Sequence, residues 1–152
     1  MSDQIKVETI DSQPTLAVVK KGPISQVSKL MGEALNQVYD YLKNNGYKAI
    51  GPPYARYLEV GEEIELEAGM PVESDVKGND LVRNSELPGG EVVSLMHVGP
   101  YDQLDTAHEM IKTWMSEQGR ESKADPWEVY ITDPEEEKDS AKWETLVRWP
   151  IK

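Results

Sequence analysis

Pro126-Trp127-Glu128-Val129-Tyr130-Ile131-Thr132-Asp133-Pro134 is a short alternating run bracketed by prolines, in which the acid Glu128 sits among apolar and aromatic residues. Alternation at a period of two predicts a strand. It sends Val129 and Ile131 to one face and Glu128, Tyr130 and Thr132 to the other. By their apolarity Val129 and Ile131 are expected to face the helices, which leaves Glu128 and Tyr130 on the open face of the sheet. A carboxylate between large aromatics, in a segment that otherwise tends to be half buried, points to a ligand pocket.

The rest of the composition narrows the classes. A chain of 152 residues, 38% hydrophobic and 29% charged, suits one soluble domain or two small modules sharing a core. No apolar run approaches the length of a membrane span. The amino-terminal MSDQIKVETIDSQP has neither the basic flank nor the apolar core of a signal peptide, so a cytoplasmic protein is expected. Cysteine is absent, which excludes disulfides, thiolate metal sites and cysteine nucleophiles. Twenty-eight acids against 16 bases give a net charge of −12. That field repels a nucleic-acid backbone and attracts a cationic small molecule, besides keeping the protein soluble. Phenylalanine is also absent, and the aromatics are seven Tyr and four Trp. Each carries a polar handle, and such residues are common in pockets that hold flat organic ligands.

Working outward from Pro126, the chain reads as a repeat. Ile5–Ile10 is a possible first strand, and Leu16–Val19 a short buried one that ends at Gly22-Pro23. Val27, Met31, Ala34, Leu35, Val38 and Leu42 then form an amphipathic helical stripe, stopped at Asn44-Asn45-Gly46. Pro52-Pro53 opens a strand through Tyr54, Tyr57 and Leu58, and Gly61 turns it into Glu63–Glu67. The polar segment from Val72 to Pro88 reads as a long connection, a lid or a linker. The pattern then recurs. The strand Glu91–Val98 ends at Gly99-Pro100, and Gln103 follows the proline as Gln26 follows Pro23. A helix carries Leu104, Ala107, Ile111 and Trp114 and stops at Gly119. Pro126 opens the next strand, and Ala141–Trp149 supplies the last.

Each half therefore reads strand, helix, strand, strand, with the first repeat at about residues 5–75 and the second at about 89–152 of one domain. One half alone has too little core. The expected class is α+β: two such modules related by a pseudo-twofold, an antiparallel sheet with helices on one side and a ligand groove on the other. Aligning the halves puts Tyr57 opposite Tyr130 and Ala55 opposite Glu128. The repeat is symmetric and the carboxylate breaks that symmetry, as a site must to orient a ligand. Trp127 and Met96 join Glu128, Tyr130 and Tyr57 as candidate ligand-binding residues.

A carboxylate desolvated by aromatics is costly unless paired. It can pair with a bound cation, helped by cation–π contacts of ~0.5–2 kcal/mol each, or act as general acid or base toward a substrate. The plain alternative is a salt bridge to Arg56 or Arg148. His97 and His108 fit structural roles better than a metal site, since no HExxH spacing exists, and neither a metal nor a cofactor is expected.

Three segments carry a resemblance: EAGMPV (Glu67–Val72), LPGGEVVSLMHVGPYDQL (Leu87–Leu104) and PWEVYITDP (Pro126–Pro134). In this order, followed by a short strand ending at Trp149-Pro150-Ile151, they resemble the GyrI-like family, also called effector-binding or SOUL-related domains built of tandem SHS2 modules. The resemblance implies two strand-helix-strand-strand modules whose groove binds small molecules, often lipophilic cations. Glu128 is then the pocket acid, with aromatic neighbours as walls. Many relatives carry the domain behind a DNA-binding helix-turn-helix. Here the first strand begins near the amino terminus, so a stand-alone member without direct nucleic-acid binding is expected. Some stand-alone relatives are similar to hydrolases of strained cyclopropyl electrophiles, which would make Glu128 catalytic. Others resemble a gyrase inhibitor, which implies a protein partner.

Overall fold

The computed structural model describes residues 5–152. Its elements run β1 (Ile5–Ile10), β2 (Gln13–Pro23), α1 (Val27–Asn44), β3 (Tyr54–Val60), β4 (Glu63–Pro71), β5 (Arg83–Leu87), β6 (Gly90–Val98), α2 (Leu104–Gln118), β7 (Trp127–Tyr130) and β8 (Glu144–Pro150). The class is α+β, with antiparallel strands throughout. Both expected strand-helix-strand-strand runs are present, as β2-α1-β3-β4 and β6-α2-β7-β8. Neither helix is long and apolar enough to cross a membrane.

The chain divides into two compact units, one of Ser12–Pro88 and the other of residues 5–11 with Gly89–Lys152. The first repeat was expected to start at residue 5, but β1 pairs with β6 and belongs with the second run. A strand's apolar pattern shows that it pairs, not with which partner.

In the unit Ser12–Pro88 the strand order is β3-β4-β2-β5. Leu16, Val18, Leu66 and Ala68 are buried in the strands, and Ala34, Val38 and Leu42 on α1. Each such side chain taken fully from water contributes roughly 1.5–3 kcal/mol. Gly46 follows the helix at φ 71°, the left-handed turn expected of it. Gly69 is fixed by packing: a Cβ there would run into the carbonyl oxygen of Leu16 and lie 2.8 Å from the Cβ of Ala17.

The segment expected to be a long loop contains β5, which pairs with β2. Its sequence RNSEL holds one apolar residue, so no alternation betrays it. Side chains fasten the chain before it. Asn79 Oδ1 accepts the amides of Leu81 and Val82 at 2.9 and 2.8 Å, and Asn84 donates to the carbonyl of Val76 at 2.8 Å. This segment is built, not loose.

In the other unit the order is β1-β6-β8-β7. Val93, Leu95 and Val147 of the strands, with Ile151, form one cluster with Leu104, Ala107, Ile111 and Met115 of α2. Trp114, expected on the inner stripe, packs at its margin, and Met115 takes the buried place. Gly119 ends the helix at φ 66°. The last strand begins at Glu144 rather than Ala141, because Ser140–Lys142 form a short 3-10 turn.

Candidate functional site

Strand register places Glu128. It stands directly opposite Val147 on β8, and Val147 opposite Leu95 on β6. Directly opposed residues in an antiparallel sheet project to the same face. Val147 and Leu95 pack against α2, so Glu128 faces the helix. This reverses the side assigned from apolarity: Val129 is half buried, Ile131 is 41% exposed and Glu128 is 2% exposed. The polar residue won the inner face because it finds hydrogen-bond partners there.

Two of those partners are close. The Tyr130 hydroxyl donates to Glu128 Oε1 at 2.8 Å. His108 Nε2 lies 2.7 Å from Glu128 Oε2. His108 comes from α2, one position along from the buried Ala107, and so reaches β7 from the edge of the helix's apolar stripe. Its other ring nitrogen, Nδ1, accepts from the Trp149 indole Nε1 at 3.0 Å. Neither Arg56 nor Arg148 takes the salt-bridge role considered for them. Arg56 pairs with Glu67 at 3.1 Å and Arg148 with Glu8 at 3.3 Å.

Aromatic rings pack against the acid's two partners. The Tyr101 ring meets that of Tyr130 edge-on, with centroids 5.5 Å apart, and Trp143 lies 4.8 Å from Tyr101. Trp143 is anchored by its own indole N–H, which donates to the carbonyl of Glu137 at 2.7 Å. Trp149 meets His108 edge-on at 5.8 Å. Burial raises the Tyr101 hydroxyl above the ordinary tyrosine pKa, and the charges of Asp133 and Glu128 add to the effect.

Thr145 stands opposite both Tyr130 and His97, and so on the same face. It is fully buried, and among the described residues its hydroxyl has no hydrogen-bond partner. An orphaned hydroxyl inside a protein costs about 1–3 kcal/mol, which a ligand's polar atom can relieve.

Of the expected site residues, Glu128 and Tyr130 come together on β7. Trp127 is fully buried but opposite Arg148, and Met96 is half buried opposite Leu146. Both lie on the face turned away from Glu128, because each is an odd number of residues from the Glu128–Leu95 row. Tyr57 is in the other unit, half buried, in one row with Leu66 and Lys20. Lys20 reaches Glu33 of α1 at 3.9 Å, which puts Tyr57 on that unit's helix-bearing face.

Tyr101, Trp143, Trp149 and Thr145 were not singled out from the sequence, and His108 was expected only in a structural role. The signal for His108 was its place beside the stripe Leu104-Ala107-Ile111, where a polar residue must find a partner. Among the described residues no three His, Asp or Glu side chains are grouped as metal ligands.

The arrangement places a buried carboxylate against an imidazole and a phenol, the latter two in contact with further aromatic rings.

The C-terminal domain of EcmrR superposes with a TM-score of 0.85 at 23% identity, covering 98% of this chain and 97% of that one. The chain also matches EcmrR in a complex with DNA, where it spans 57% of that protein's length. SAV2435, solved bound to tetraphenylphosphonium, gives 0.67 at 11% identity, covering 97% and 93% of the two chains. A structure described as a hydrolase from Listeria innocua gives 0.66 at 18%, covering 98% and 92%. At these identities the likeness shows the fold. No curated protein matches the sequence. The sequence model of the GyrI-like small molecule binding domain matches residues 3–152, nearly the whole length, and the chain belongs to that family.

Proposed function

We propose that this chain is a cytosolic protein that binds a ring-bearing cationic or electrophilic organic molecule on the α2-facing side of β7, with Glu128 as its anchor. The observation that carries the reading is the acid itself: a carboxylate 2% exposed, bonded to Tyr130 and His108, whose rings in turn meet those of Tyr101 and Trp149. Burying an anion is costly, and a site that meets a cation recovers part of that cost. Tyrosine and tryptophan faces add ~0.5–2 kcal/mol for each cation–π contact. The net charge of −12 draws such a ligand in. A relative with this fold, SAV2435, was solved with a lipophilic cation. Thr145 offers a second polar contact through its orphaned hydroxyl.

A thermal-shift titration with tetraphenylphosphonium tests this. At 100 times the dissociation constant a ligand adds ~2.7 kcal/mol of stability. The shift in Glu128→Gln is expected to be no more than about half that of the native chain. An equal shift in both removes Glu128 from the reading.

A second reading is favoured by the same three groups. A carboxylate joined to an imidazole and a phenol is a general acid–base set, and a relative of this fold is described as a hydrolase. Glu128 would take the proton from a water attacking an electrophilic carbon. Product analysis with strained cyclopropyl compounds separates the two: turnover lost in Glu128→Gln with binding retained makes the protein an enzyme.

A further inference from the structure

We infer that Trp149 sets the protonation form of His108 and through it holds Glu128 as an anion facing a neutral imidazole, which makes Trp149 and His108 positioning residues for the acid. An indole nitrogen can only donate. Trp149 Nε1 lies 3.0 Å from His108 Nδ1, so Nδ1 is the accepting nitrogen and carries no hydrogen. The single ring proton then sits on Nε2, 2.7 Å from Glu128 Oε2, and is donated to the carboxylate.

Without that indole, the same pair has another form open to it. A histidine beside a carboxylate readily takes a second proton and becomes the cationic half of an ion pair. Here a second proton would have to sit on Nδ1, directly against the Trp149 N–H. The hydrogen bond would be lost, and two hydrogens would face each other. Among the described residues this face also carries Tyr130 on β7, Tyr101 before α2, and His97 and Glu91 on β6, the last paired with Arg120 at 3.0 Å. Tyr130 donates to the same carboxylate, and Tyr101 stays protonated beyond the usual tyrosine range. His97 is turned to the carbonyl of Pro100, at 3.1 Å. Glu128 is the group that calls a proton to the imidazole, and Trp149 is the group that refuses it a place.

The consequence reaches the ligand. An imidazolium at His108 would satisfy Glu128 internally and put a positive charge where a cationic guest must come. A neutral donor orients the acid and leaves its charge for the guest. This second step rests on the proposed role of Glu128 as anchor; the proton placement does not.

Long-range proton–nitrogen NMR of the two histidines, assigned with a His97 variant, reads the proton directly. The expected result in the native chain at neutral pH is His108 protonated on Nε2 with a bare Nδ1. In Trp149→Phe, which keeps a ring but not the N–H, the doubly protonated form is expected to appear at higher pH than in the native chain. Tetraphenylphosphonium should then bind Trp149→Phe about three- to tenfold more weakly where that form is populated, the size of one lost hydrogen bond. A native His108 protonated on Nδ1 or on both nitrogens at neutral pH overturns the inference. So does a Trp149→Phe chain whose histidine titrates as the native one does. Should that variant fail to fold, the native spectrum alone decides. If tetraphenylphosphonium binds neither chain, the anchor reading falls and the spectra still judge the proton placement.

Discussion

Tyr130 and Glu128, two residues apart on β7, project to the same face, and the hydroxyl of the first donates to the carboxylate of the second at 2.8 Å. The bond orients a buried anion from within its own strand. Tyr130→Phe keeps the ring packed against Tyr101 and removes the donor. A hydrogen bond to a charged group contributes ~1.5–3 kcal/mol, and a loss of that size is expected in urea denaturation.

Two glycines should respond in opposite directions to the same change. Gly69→Ala places a Cβ against backbone at Leu16 and Ala17, which cannot move aside without disturbing the β2–β4 pairing. Severe destabilisation or loss of soluble protein is expected. Gly32 lies inside α1 with nothing within 4 Å of its Cβ position. There Ala should stabilise by about 0.5–1 kcal/mol. Thermal melts of the two variants check both signs.

The core beneath α2 should dominate stability in its unit. Ile111 is fully buried among Val93, Leu95 and Val147. Ile111→Ala should cost about 2–5 kcal/mol. Val98, at 58% exposure, should change stability by no more than about 0.5 kcal/mol when cut to Ala. Chemical denaturation of the pair measures the contrast.

Alkali should act through two tyrosines. Burial raises Tyr54 strongly, and the charge and hydrogen bond of Glu67 raise it further. Burial also raises Tyr101. A group whose folded pKa exceeds its unfolded value contributes stability that is complete below the unfolded value, about 10 for tyrosine. That contribution fades as pH climbs past it, because the unfolded chain releases its proton first. Stability should therefore fall above about pH 10. The fall should be shallower in Tyr101→Phe, as denaturation at several alkaline pH values would show.

Much of this was legible in the sequence, and the failures share a cause. The helices could be read because Val38 and Leu42, or Ala107 and Ile111, repeat at the helical period and are buried. Glu128 and Tyr130 stand out in the sequence because an acid among aromatics in a strand is unusual. Their face was misjudged because apolarity was taken to mark the buried side. A tertiary contact with His108 and a bond from Tyr130 within the strand made the polar side the more buried one. Met96 and Trp127 were chosen by residue type, and register places them on the other face. Strand β5 was invisible because an RNSEL edge pairs through its backbone. Thr145 carries no motif at all. Only its orphaned hydroxyl marks it, and that is a property of the folded chain.

Isothermal titration calorimetry of tetraphenylphosphonium against the native chain and Glu128→Gln addresses the anchor most directly. Binding to the native chain is expected, with affinity reduced at least about tenfold in the variant, equivalent to ~1.4 kcal/mol. Equal affinity for the two chains, or no binding to the native one, would contradict the assignment of Glu128 as the residue that holds the ligand.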